Sequence, residues 1–354
     1  MLSIKLIERN KVDLIDSQQW NELATNSQFK NPFFSQLVLS AALKNISLKK
    51  NIKVVTAFEQ EKLVALFPVI IYRHYLGFKC IKIWCHEHCF ISDPLVSDTQ
   101  LMDDINLQLL NALNASCFLV ETYSPMSLGK LFNQRGFHRQ SFRGMITQFK
   151  DKQNYYQSLS KKVRSESRRV IKKIFSDTSV YYTTSEKQLD YPWFQAYCQL
   201  EHAGWKSKVK GAILSQPEYQ KYYEDFIEQA IKDKSIQFQA LMRNDKPIAI
   251  AIRMLSEDYF FEIKTSFDDN FRQLYPGVVL ELLNLEGLEG VNFTCVDSCT
   301  DSHNRVINRL WPEQKIIFSS IFFKNNLIEK IFYRILSRQN KLLFSFLFAS
   351  LSNY

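Results

Sequence analysis

Two stretches of this chain, 184 residues apart, read the same way: Ala57-Phe-Glu-Gln-Glu-Lys-Leu-Val-Ala-Leu66 and Leu241-Met-Arg-Asn-Asp-Lys-Pro-Ile-Ala-Ile250. Each is an apolar run, a tight polar turn and a second apolar run restarting at Val-Ala or Ile-Ala, which is the pattern of a β-hairpin. A hairpin repeated at a fixed offset predicts that the blocks around it repeat too. Their element orders agree. The first block reads as a strand over 4–7, helices over 17–23 and 32–44, and strands over 53–58, 63–72 and 78–84. A helix over 102–113, a strand over 117–122, a short helix over 126–133 and a strand over 145–149 complete it. After a basic helix over 155–175 comes a strand over 180–183, then helices over 188–202 and 217–232. Strands follow over 236–243, 247–255 and 259–267, then a helix over 277–288, a strand over 293–297, a helix over 304–310 and a strand over 315–323. Period-2 and period-3.6 apolar patterns set these assignments. The expected fold is α/β (α+β with a mixed sheet), with domains over 1–150 and 151–325 joined by the basic helix, and a basic amphipathic helix over 326–354.

With 354 residues, 46% of them hydrophobic, the chain can bury two medium cores, yet no apolar run reaches the roughly 20 residues that cross a bilayer. The first residues lack a basic region followed by an apolar run and a cleavage site, so the chain reads as cytoplasmic. The segment 327–351 mixes Arg334, Arg338 and Lys341 with Phe, Leu and Ile; it either packs on the domain or makes a peripheral contact with the inner membrane. Seven cysteines, an odd number without a CxxC, read as small buried hydrophobes of a reducing compartment. Cys85-His86-Glu87-His88-Cys89, if extended, splits its sulfurs and imidazoles between two faces, so no metal is expected there. A net charge of +9 favours an acidic partner: nucleic acid, a phosphorylated cofactor or an anionic membrane face. With only 9 glycines, Gly77, Gly204 and Gly277 stand out as positions where the backbone needs one, and Gly204 is expected to take φ > 0 where its helix stops.

The order β αα βββ α β α β resembles the GNAT acyltransferase fold, and its duplication resembles the Fem-type transferases and the CelD-like group of GNAT proteins. The motifs that carry this are Asn31-Pro-Phe-Phe34, Leu63-Val-Ala-Leu-Phe-Pro68, Asp93-Pro-Leu95, Glu201-His-Ala-Gly-Trp-Lys206, Lys264-Thr-Ser-Phe-Asp268, Tyr275-Pro-Gly-Val-Val-Leu280, and Asp297 with Trp311. The resemblance implies an enzyme, an N-acyltransferase. It would move an acyl group such as acetyl from acetyl-CoA or another acyl-CoA to the amine of a small molecule, a sugar, a peptide or a cell-envelope precursor. Its alternatives are aminoacyl transfer from charged tRNA to a peptidoglycan precursor, or an inactive GNAT fold that binds membrane or polysaccharide machinery. Nucleic acid is an expected partner only under the tRNA alternative.

Candidate site residues follow from the motifs. Pro276-Gly277 opens an apolar helix, where unpaired N–H groups and the helix dipole suit a phosphate. The resemblance carries the acyl-CoA diphosphate to Gly277, Val278 and Val279, with Ser266, Tyr275 and Arg305 on the same cofactor side. The matching turn of the first block, 93–99, has no glycine, so that block is read as the acceptor side. Strand alternation sets Glu262, Lys264 and Ser266 on one face, either lining a groove or forming a cross-strand ion pair. Asp297, Glu201 and Lys264 are the catalytic candidates, with Asp297 as proton acceptor and His303 behind it. His88, Asp93, Trp205, Lys206 and Glu262 are the acceptor-binding candidates.

Overall fold

The computed structural model describes residues 2–73, 78–133, 136–300 and 303–324, so Gly77 and the helix expected over 326–354 lie outside the described residues. Along the chain run β1 (Leu2–Glu8), α1 (Ser17–Asn26), α2 (Gln36–Asn45), β2 (Ile52–Glu59), β3 (Lys62–Arg73), β4 (Lys79–Ile83), β5 (Leu95–Val96), α3 (Leu101–Ala112), β6 (Cys117–Tyr123) and β7 (Gly136–Thr147). There follow α4 (Lys152–Ser158), α5 (Lys161–Ile174), β8 (Val180–Thr184), α6 (Trp193–Ala203), α7 (Trp205–Lys208), α8 (Pro217–Glu224), α9 (Ile227–Lys232), β9 (Ile236–Arg243), β10 (Lys246–Ser256) and β11 (Tyr259–Phe267). The last elements are α10 (Pro276–Glu286), β12 (Cys295–Asp297), α11 (Ile307–Leu310) and β13 (Glu313–Phe323).

The duplication extends to backbone dihedrals. Gln60 and Glu61 between β2 and β3 have φ of 47° and 70°, and Asn244 and Asp245 between β9 and β10 have φ of 47° and 61°. Both hairpins therefore close on two residues with positive φ, the turn whose twist matches paired strands.

The chain divides into two units, residues 1–140 with 316 onward, and residues 141–315. The sheet of the first runs β1-β2-β3-β4-β6-β13, with β5 beside β3; β4 and β6 are parallel and the other pairs antiparallel. That of the second runs β8-β9-β10-β11-β12-β7, with β11 and β12 its parallel pair. Each sheet thus ends on a strand from the other block of sequence.

The basic helix is not a connector. Its cations occupy one face, while Val170 and Ile174 are buried in the second unit's core with Val279 and Leu280 of α10. A break between α4 and α5 lets the Ser160 hydroxyl cap the Val163 N–H, which starts a separate helix. Gly204 also differs from expectation: φ is −87°, and a Cβ there would meet the Glu201 and Leu200 carbonyls at 3.5 and 3.8 Å, ordinary contacts. Chain reversal between α6 and α7 needs no left-handed residue.

Candidate active site

In the second unit, β11 and β12 pair only over Tyr259–Phe261 against Cys295–Asp297 and then part. Parted parallel strands leave backbone groups of β11 unpaired on one side, and the Thr265 carbonyl accepts instead from Lys206 Nζ at 3.0 Å. Helix α10 begins just after β11. Tyr275, left-handed at φ 55°, turns the chain into it, and Pro276 takes the first helical position. Pro276 has no N–H, and the Val279 N–H bonds to the Tyr275 carbonyl at 3.0 Å, so the first turn keeps two donors, those of Gly277 and Val278. Val279 itself is fully buried, which removes it from the binding candidates. A Cβ on Gly277 would lie 3.2 Å from the Phe267 ring; the glycine lets α10 start against the end of β11.

Beside this turn lies a cavity of about 290 Å³ between α5, α10 and α11. Tyr275, Val278 and Arg305 line it, joined by Arg169 and Arg309, which sequence reasoning missed. The spacing of Arg305 and Arg309 on consecutive turns was the available signal. Arg309 is ion-paired with Glu166 of α5. Ser266, by contrast, is buried within β11.

Glu201, Lys206 and Lys264 come together. The fully buried Glu201 Oε1 accepts from Tyr197 Oη at 2.9 Å, from Lys206 Nζ at 3.1 Å and from Lys264 Nζ at 3.3 Å, while Oε2 accepts from the Ile213 N–H at 2.8 Å. Burial pushes this carboxyl up, but Lys264, Lys206 and the Ile213 N–H outweigh it and hold it below the ordinary glutamate range. It is an anchor for two ammonium groups rather than a base. Tyr197, four residues before Glu201, was legible as an i,i+4 pair. Trp205 is half exposed at the start of α7.

Glu262 is not with them. A bulge at Ile263 shifts the β10–β11 register between Ile252 and Arg253, which places Glu262 and Lys264 on opposite sheet faces. Glu262 accepts from Arg253 Nε at 2.7 Å, and Arg253 also donates to the Asn284 carbonyl of α10. On the same face, Trp311 Nε1 donates to the buried Glu281 at 2.7 Å. Burial, then Glu262, raise the Glu281 carboxyl to about 8 against the pull of Trp311 and Arg253.

Asp297 is buried as well. Lys315 Nζ lies 2.6 Å from its Oδ2, Arg143 Nη1 3.5 Å from Oδ1, and the Cys299 N–H donates to Oδ1 at 2.8 Å. Burial raises this carboxyl, but Lys315 and Arg143 prevail and it sits below the ordinary aspartate range. Such a group takes up a proton poorly, contrary to the base role expected for it. In the first unit, Asp93 is spent on structure: it accepts from the Ser124 N–H at 2.7 Å and the Ser124 hydroxyl at 3.1 Å. His88 is buried nearby in sequence. Among the described residues no group of three or more His, Cys, Asp or Glu could hold a metal ion.

Residues 161–304 match the family model described as acetyltransferase (GNAT) domain. The matched residues lie within the second unit. In fold the chain is similar to FemX, with a TM-score of 0.57 at 9% identity over 90% of this chain and 98% of that one. The C-terminal domain of a putative lysylphosphatidylglycerol synthetase from Agrobacterium fabrum gives 0.55 at 11% identity, covering 89% and 93% of the two chains. L-PGS from Bacillus licheniformis gives 0.53 at 10%, covering 90% and 95%. No curated protein matches the chain by sequence. At such identities the likeness is one of fold.

Proposed function

We propose that the second unit transfers an acyl group from a pantetheine thioester, with acyl-CoA as its free form, to an amine. The observation that carries this reading is the start of α10. Two unspent N–H groups, on Gly277 and Val278, stand at the mouth of an arginine-lined cavity beside parted parallel strands. A helix start with free donors favours a phosphate, and the unpaired edge of β11 offers peptide-like partners to a pantetheine arm.

The reaction would be direct. The neutral amine attacks the thioester carbonyl, the C–N bond forms, and the C–S bond breaks with its electron pair on sulfur. The proton lost by the amine passes to solvent, and the thiolate takes one up. Lys264 and Lys206, held by Glu201 at β11, supply positive charge for the developing oxyanion. Positioning the two reactants supplies the rest.

Calorimetric titration with CoA tests this reading. Wild type should bind, and Gly277→Asp should lose affinity by at least about tenfold, since a carboxylate would occupy the anion position of the turn. Equal affinity in the two proteins would remove α10 from the reading.

A further inference from the structure

We propose that the acyl donor is carried by a small acidic protein whose phosphopantetheine arm enters at α10 while its surface docks on the outer face of α5. This inference rests on the pantetheine-thioester reading above and names the carrier. Helix α5 holds seven lysines and arginines among 14 residues and a single acid, Glu166, which Arg309 engages. The helical period gathers the cations on one face, opposite Val163, Ser167, Val170 and Ile174. None of the seven is paired with a carboxylate among the described residues; Lys173 and Arg164 reach only the Gln273 and Gln157 carbonyls.

Such a face is unfavourable for the isolated domain. Arg164 and Arg168, Arg168 and Lys172, and Arg169 and Lys173 are like charges at i,i+4, which weaken a helix. Lys161 and Lys162 sit at its positive end, against the dipole. An external polyanion removes both penalties. Arg169 belongs to this face and also lines the cavity at α10, so the charged surface leads to the turn.

Two features favour an acidic protein over RNA or lipid. The exposed face of α5 consists of Lys, Arg and Ser, without an aromatic platform for bases. Its apolar side is committed to the core, leaving nothing to insert into a bilayer. The turn agrees: two N–H donors suit the single phosphodiester of a carrier-bound arm, where free CoA brings a diphosphate and a further phosphate. In the reaction the thiol product stays on the carrier, and the atom balance is otherwise that given above.

Holo and apo forms of a purified bacterial acyl carrier protein, CoA, bulk tRNA and phosphatidylglycerol vesicles would each be titrated against wild type and an Arg168→Glu/Lys172→Glu variant. Neither residue lines the cavity, and a Ser/Ser version with a melting curve controls for folding. Holo-carrier should bind wild type and compete with CoA. Charge reversal should weaken it about tenfold or more, because like charges across an interface repel, while CoA affinity stays within about twofold. Apo-carrier should bind more weakly than holo. If CoA binds but the carrier does not, or if carrier affinity ignores the reversal, the inference falls and the transferase reading stands. If tRNA or vesicles alone respond to the reversal, the inference is overturned in their favour. If neither CoA nor holo-carrier binds, the transferase reading falls first and takes the inference with it.

Discussion

Asp297 separates what a residue type suggests from what its surroundings permit. An acid at the end of an apolar strand reads as a base from sequence, because the two cations that hold it, Arg143 and Lys315, are remote in the chain. Asp297→Asn would take this counter-charge from the buried Arg143 and the partly buried Lys315, and breaking a buried pair in this way costs about 3–5 kcal/mol. Thermal melting should therefore register the substitution strongly; a melting curve like that of wild type would contradict the ion cluster. Glu281 gives the opposite case. Its carboxyl is raised from 4.5 to about 8, so it is neutral where an unfolded chain would already be ionised. Its stabilising contribution is whole below about pH 4.5 and is lost as pH rises through about 8. Glu281→Gln keeps an acceptor for Trp311 and should flatten the fall in melting temperature across that window. A variant whose pH profile overlays wild type would show that another group titrates there.

Elements were more legible than the positions within them. The hairpin repeat at Ala57 and Leu241, the βββ runs and the apolar helix at Gly277 follow from periodicity, which burial imposes directly on sequence. The bulge at Ile263 does not: one extra residue in an otherwise regular apolar strand leaves no compositional mark, yet it moves Glu262 to the other face. Gly204 was read too strongly, and Gly129 was not singled out at all. Gly129 lies within the 3-10 segment Pro125–Asn133 at φ 53°, and a Cβ there would clash with the Thr99 carbonyl, just before α3. Gly129→Ala should destabilise by more than about 1 kcal/mol, since both the dihedral and the space exclude a side chain. Chemical denaturation of that variant measures it, and an unchanged midpoint would mean that the segment can move off α3.

For the whole molecule, the order of elements could be read along the chain but the membership of β7 and β13 could not. Nothing in an apolar strand says which of two similar sheets it will join. In the first unit β13 covers β6, pairing Phe318 with Tyr123 and Phe323 with Cys117, and the Tyr123 hydroxyl meets Ser320 Oγ at 2.6 Å. A fragment of residues 1–140 would expose that edge with its apolar side chains and should lack dispersed amide resonances. Adding a peptide of residues 313–324 should restore them; a well-dispersed spectrum without the peptide would show that β13 is dispensable. The same topology acts on the chain as it leaves the ribosome. The second unit is contiguous in sequence and is complete once residue 315 has emerged, whereas the first has to wait for 316–323. The half that is translated first is thus the half that finishes last, and its open β6 edge stays exposed while residues 124–323 are added.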